Sequence, residues 1–247
     1  MKITVAGCGD AFGSGGRLQS CYHLETTNGR VLLDCGATAT IGLERAKLDP
    51  AGVDTIVISH LHGDHFGGLV WWLLRAVYIE RRTRPLTIAG PPGITQRLWA
   101  ASDALYPGLR QQRRPFQIEF HELEAGRRDH VGPIVVTPFE VVHPSGAPSY
   151  ALRVEADGRV LAFSGDTEWT EALIACAGHA NLFLCECFGY EKAVRNHLDW
   201  YTLSRKLRDI GAEKVMLTHL GPDMLAHLDD VRGSGAAIAE DGLTMDV

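Results

Sequence analysis

The run His60-Leu61-His62-Gly63-Asp64-His65 constrains this chain more than any other stretch. Four side chains able to bind a metal fall within six residues, directly after the apolar run Thr55-Ile56-Val57-Ile58-Ser59. A strand holds such a loop rigidly at its end. Alternation lets His60 and His62 point together at one cation, while Asp64 and His65 turn to a second. The fold must therefore offer a rim of strand ends where further donors gather.

Those donors recur after other apolar runs. His143 follows Ile134 to Val142, Asp166 follows Val160 to Phe163 within Ser164-Gly165-Asp166-Thr167, and His219 follows Lys214 to Thr218. Open α/β sheets place sites at strand ends, so a set of His and Asp residues there reads as one site. The pattern assigns His60, His62 and His143 to a first metal and Asp64, His65 and His219 to a second. Asp166 bridges, because a carboxylate has two oxygens and an imidazole one free lone pair. Nitrogen and oxygen donors favour two Zn2+ ions, with Mn2+ or Fe2+ as alternatives. Water held between two such ions becomes a nucleophile near neutral pH.

The pattern resembles the metallo-β-lactamase superfamily, and within it the tRNase Z and phosphodiesterase branch. The resemblance runs through Gly7-Cys8-Gly9, Leu33-Asp34-Cys35-Gly36, the His60 to His65 motif continuing as Phe66-Gly67-Gly68-Leu69, His143, Ser164 to Thr167, His197 and Thr218-His219-Leu220. It implies an α/β (α+β) fold, a four-layer αββα sandwich. It also implies a proton-transfer role for His197, with Asp199 or Glu186 orienting its ring, and a homodimer. Asp64 joins His197 as a catalytic residue by positioning or deprotonating the water. Two departures follow. Only residues 144–165 separate His143 from Asp166, too few for the long arm with which familiar tRNase Z enzymes grip tRNA. Extended tRNA binding is therefore not expected, and a small anionic phosphodiester is. Cys8, Cys21 and Cys35 are scattered, so no structural zinc cluster is expected near the N-terminus.

At 247 residues and 45% hydrophobic content, the chain reads as one domain over 1–247, with no run of membrane length and no signal-peptide pattern. Six cysteines without a C-x-x-C pair point to a reducing cytoplasm, and Cys185 and Cys187 read as buried thiols. The net charge of −6 argues against broad nucleic-acid binding, although a metal pair would leave the cleft itself mildly positive.

Short Val, Ile and Leu-rich segments bounded by turn residues predict strands at Lys2–Gly7, Cys21–Leu24, Val31–Asp34, Thr55–Ser59, Leu86–Ala89, Gln117–Glu122, Ile134–Val142, Tyr150–Val154, Val160–Ser164, Leu182–Cys187, Lys214–Thr218 and Leu243–Val247. Helices are predicted at Ala37–Ala46, Gly67–Arg82, Ile94–Leu105, Trp169–Ala177, Thr202–Ile210 and Pro222–Val231. Asp34 reads either as a buried acceptor for the metal loop or as a turn residue. Arg81, Arg82 and Arg84 read as a solvated helix end, and with Arg110, Arg113 and Arg114 as alternative contacts for substrate phosphates. Trp71, Trp72 and Tyr78 read mostly as core, with one aromatic left for the cleft or a dimer contact.

The leading functional expectation is a dinuclear phosphodiesterase. The alternatives are a carbonyl-ester hydrolase (lactonase, thioesterase or β-lactamase type), a tRNase Z-like ribonuclease, a non-catalytic sensor, and a di-iron oxidoreductase. The last would replace His62 by glutamate.

Overall fold

Two successive blocks of the chain each build a sheet. The computed structural model describes residues 1–247. The first block supplies β1 (Lys2–Gly7), β2 (Cys21–Thr26), β3 (Gly29–Leu33), β4 (Thr55–Val57), β5 (Leu86–Gly90) and β6 (Ile118–Glu122), side by side in that order. The second supplies β7 (Asp129–Val131), β8 (Ile134–Val141), β9 (Ser149–Ala156), β10 (Arg159–Phe163), β11 (Leu182–Glu186), β12 (Val215–Thr218) and β13 (Ala236–Ile238), also adjacent in order. The last strand, β14 (Thr244–Asp246), returns to pair with β1, so each sheet has seven strands.

Alternating side chains explain the layering. On one face of the first sheet, Tyr22, Leu24, Val31, Leu33 and Val57 meet Val136, Leu152, Val154, Leu161, Phe163 and Leu184 of the second. Each such side chain contributes roughly 1.5–3 kcal/mol by leaving water. The opposite faces carry helices. Leu32, Ile56, Ile58 and Ile88 pack on α1 (Ala39–Arg45), α3 (Gly68–Tyr78) and α4 (Ile94–Leu105), with the single turn α2 (Gly63–Phe66) preceding α3. Ala162, Phe183, Cys185 and Leu217 pack on α5 (Ala172–Ala177) and α6 (Trp200–Ile210), followed by the short α7 (Pro222–Leu225) and α8 (Leu228–Val231). The result is the expected αββα sandwich. No helix is long and apolar enough to cross a membrane.

Both sheets are mixed. β3 to β6 run parallel, as do β10 to β13. The carboxyl ends of these parallel blocks converge on one rim, where crevices of α/β sheets lie.

Several expected elements shift for identifiable reasons. The strand expected to reach Ser59 stops at Val57, because the Ser59 N–H donates to Asp34 rather than to a neighbouring strand. The helix expected to reach Arg82 ends at Tyr78, and Arg81 takes φ +49°. Arg82 is not a solvated helix end. It is buried, and its guanidinium donates to the carbonyls of Ala51, Arg84 and Pro85 and to Asp54. The helix expected from Trp169 begins at Ala172, after a bend at Glu168, whose N–H donates to the Val142 carbonyl. The helix expected over Pro222–Val231 breaks into α7 and α8. β7 and β13 were not expected. All six cysteines are buried and free.

Candidate metal centre

Asp34 organises the first wall of the site. β3 ends at Leu33, and Asp34 adopts φ +56°, a strained position that turns its carboxylate inward. That fully buried carboxylate accepts from the Ser59 N–H (2.7 Å), the Ser59 hydroxyl (2.8 Å) and His65 Nδ1 (2.6 Å). In a neutral His65 this contact places the proton on Nδ1 and leaves the Nε2 lone pair free to face a cation. Having given its proton to Asp34, the Ser59 hydroxyl accepts from His60 Nδ1 at 3.1 Å, which frees His60 Nε2 in the same way. His143 Nδ1 donates to the Asn196 carbonyl at 2.8 Å, and His143 Nε2 lies 2.9 Å from His62 Nδ1.

Glycines set how closely the loop can seat. A Cβ at Gly68 would lie 2.0 Å from the Gly36 carbonyl oxygen, and one at Gly36 would lie 2.2 Å from that of Asp64. Backbone therefore packs on backbone beneath the His60 to His65 loop.

Asp166 stands at the centre. Its Oδ1 is 3.2 Å from His65 Nε2; its Oδ2 is 3.3 Å from His219 Nε2, 3.7 Å from His60 Nε2 and 3.8 Å from His143 Nε2. The donor atoms of His60, His62 and His143 lie within 4.8 Å of one another, and so do those of Asp64, His65, Asp166 and His219. All seven predicted metal donors are thus brought together in two groups, with Asp166 in reach of both. His219 reaches the centre from a positive φ (+56°), its N–H donating to the Cys8 carbonyl.

The donors fit cations. His60 Nε2, His65 Nε2 and Asp166 Oδ1 are buried without a hydrogen-bond partner. Such orphaned groups cost about 1–3 kcal/mol each, a debt that two bound cations would remove. Burial and the neighbouring His65 hold His60 well below the usual imidazole range, in the neutral form that metals require. Burial pushes the Asp166 carboxyl up, but His219 and His65 outweigh it and hold it ionised. This His/Asp cluster suits a dinuclear metal site.

His197 lies beside this cluster and shares a third donor group with His143 and Asp166. Its Nδ1 is 3.1 and 3.3 Å from the two oxygens of Glu186, buried at the end of β11. Burial raises the Glu186 carboxyl, and it lowers His197, but the Glu186 contact outweighs that and holds His197 above the usual range. Asp199, the other residue weighed as the orienting group, instead caps α6 by accepting from the Thr202 N–H. Phe188 stacks on the His197 ring (5.0 Å, 30°) and Asn196 reaches φ +69° to present its carbonyl to His143. Neither was found from sequence. An Asn next to a candidate His was the available signal for the second, since Asn tolerates left-handed backbone.

The alternative substrate cations lie elsewhere. Arg82 and Arg84 bond to Ala51 and Asp54 on the loop entering β4, and Arg110 and Arg114 lie over the Trp99 ring. Of the three aromatics on α3, Trp72 is buried, Tyr78 is exposed, and Trp71 lines a cavity of about 520 Å³ bordered by Asp64.

Comparison with known proteins places this geometry. The family profile described as Anti-Pycsar protein Apyc1 matches residues 1–239. Uncharacterized protein ML1173 of Mycobacterium leprae is 29% identical over 230 residues, covering 90% of this chain and 78% of its own. Among solved structures, the metallo-β-lactamase fold protein YhfI of Bacillus subtilis superposes with a TM-score of 0.78 at 20% identity, covering 99% of both chains. The short form of human tRNase Z gives 0.79 at 22% identity, covering 100% of this chain and 99% of that one. The fold is therefore the metallo-β-lactamase fold.

Proposed function

The chain belongs to the Anti-Pycsar protein Apyc1 family, and from that premise we propose a dinuclear metal-dependent phosphodiesterase acting on a small phosphodiester or nucleotide. The observation that carries this reading is His197, braced by Glu186 and placed among the donor atoms of His143 and Asp166. A phosphodiester needs a proton delivered to its departing alkoxide, and a braced imidazole beside the reacting centre delivers it.

The proposed ligands are His60, His62 and His143 on one side, Asp64, His65 and His219 on the other, and Asp166 between. Two divalent ions there, zinc by donor chemistry with manganese or iron as alternatives, would supply Lewis acidity and an activated water. Asp64 would help position or deprotonate a water for attack on phosphorus. His197 protonates the leaving oxygen, and Glu186 keeps its ring in place. The small-substrate reading rests on residues 144–165, which form a short loop and the β9–β10 hairpin. A homodimer is supported by the exposed Tyr78, Ile79, Leu105 and Tyr106 at the C-terminal ends of α3 and α4. Six free buried thiols fit a cytoplasmic setting.

Parallel assays of metal-loaded protein on bis(p-nitrophenyl) phosphate, a homoserine lactone and a chromogenic cephalosporin test the bond type. Turnover confined to the phosphodiester is expected, and turnover confined to a carbonyl substrate rejects the proposal. His197→Ala should depress hydrolysis of poor leaving groups at least about 100-fold more than that of nitrophenolates. Equal losses on both remove its acid role.

A further inference from the structure

An imidazole that binds a metal through one ring nitrogen is normally oriented by a hydrogen bond at the other. Three of the donor rings have that support. His60 Nδ1 contacts the Ser59 hydroxyl at 3.1 Å, His65 Nδ1 contacts Asp34 at 2.6 Å, and His143 Nδ1 contacts the Asn196 carbonyl at 2.8 Å. His219 lacks it. Its Nδ1 is buried without a hydrogen-bond partner, while its Nε2 faces Asp166 at 3.3 Å. This ring is oriented by what packs on it, and its neighbours are aromatic.

Strand pairing delivers one of them. β11 and β12 run parallel with Glu186 opposite Thr218, so Phe188 and His219 lie just beyond neighbouring strand ends. The Phe188 carbonyl accepts from the Gly221 N–H at 3.0 Å, which ties the two segments together past the sheet. The Phe188 ring lies 6.2 Å from the His219 ring at 43°, and 5.0 Å from the His197 ring at 30°. His197 in turn stacks on His219 at 5.5 Å and 13°. These spacings fall in the range of about 4.5–7 Å over which rings attract. Of the three mutually packed rings, Phe188 alone neither titrates nor binds a cation. Its seat depends on Gly221. A Cβ there would lie 3.0 Å from Phe188 Cε1 and from Cζ, and 2.7 Å from the Phe188 carbonyl oxygen.

We propose that Phe188 is a positioning residue whose ring, seated over Gly221, holds His219 towards Asp166 by packing, in place of the hydrogen bond that orients His60, His65 and His143. The inference rests on the metal-pair reading. It makes the two cations unequal in their dependence on Phe188. That ring packs on His219 and His197 and on no ring of the His60, His62 and His143 group. Losing it therefore loosens the donor set around His219 and spares the other.

The test is a stepwise Zn2+ titration of the metal-stripped full chain against a chromogenic chelator, which reads two dissociation constants without reference to turnover. His219→Ala and His62→Ala assign the steps, each weakening its own. Phe188→Leu keeps an apolar side chain but removes the flat face. It should raise the Kd of the His219 step about tenfold and leave the His62 step unchanged. Gly221→Ala pushes a methyl against the ring from its other side and should produce the same one-sided loss. A general structural role would weaken both steps together. The proposal falls if either variant leaves the His219 step unchanged or weakens both steps alike, and the metal pair then stands without it. Uptake of fewer than two ions by the unaltered protein overturns the metal pair and this inference together.

Discussion

His23 offers a stability measurement that is independent of the metals. It lies on β2, opposite Thr4 of β1 and Leu32 of β3, at 1% exposure, and neither ring nitrogen has a hydrogen-bond partner. Burial, with Arg30 and Lys2 adding to it and Glu25 opposing, lowers its pKa from 6.5 to about 4. The folded value lies below the unfolded one, so between those pH values the unfolded chain binds the extra proton. The stability owed to a neutral His23 is complete above about pH 6.5. It falls as pH drops towards about 4 and changes no further below that. The full span is worth roughly 3 kcal/mol, and the portion lost between about pH 7.5 and pH 5 is about 2 kcal/mol. His23→Leu removes the titration and both orphaned nitrogens at similar volume. Urea unfolding of parent and variant, at matched metal content and several pH values, isolates the effect, because contributions from the other histidines cancel in the difference. The variant should equal or exceed the parent at neutral pH, and its advantage should grow by about 2 kcal/mol on acidification. A difference that stays flat with pH would refute the reasoning.

Three further outcomes are expected. Asp34→Ala leaves the His65 and Ser59 donors without an acceptor and should lower metal affinity by about 10–100-fold, read by metal analysis after dialysis. Gly68→Ala drives a Cβ into the Gly36 carbonyl and should cost about 1–3 kcal/mol in thermal unfolding, with metal binding weakened alongside. Arg82→Ala strips a buried guanidinium from three carbonyls and Asp54. It should destabilise the fold by about 3 kcal/mol or more while leaving kcat unchanged, since it lies away from the donors.

Alternation and turn residues made the two sheets readable, because strands buried on both faces leave near-continuous Val, Ile and Leu runs such as Thr55 to Ser59. β7 escaped notice because it is three residues, Asp129-His130-Val131, with one buried side chain. β13 is Ala236-Ala237-Ile238 in a small-residue stretch, with nothing bulky to mark a face. Arg82 misled for another reason: a long cationic side chain after a helix usually snorkels to solvent, and only the fold shows four acceptors waiting for it. At the candidate site, the donors stood out because polar residues directly after apolar runs are conspicuous. The choice of Glu186 over Asp199 beneath His197 was not legible. Both lie within reach along the chain, and α6 capping, a tertiary matter of where helix and strand end, decides between them.

The donors around Asp166 come from both sheets, beginning at His60 and ending at His219. A nascent chain that has not yet emerged past residue 219 thus lacks a member of the set, however well its first sheet has formed. The His60, His62 and His143 group, by contrast, is complete once residue 143 is out, so two cations held as proposed would find their donors in a fixed order, the His143 group before the His219 group.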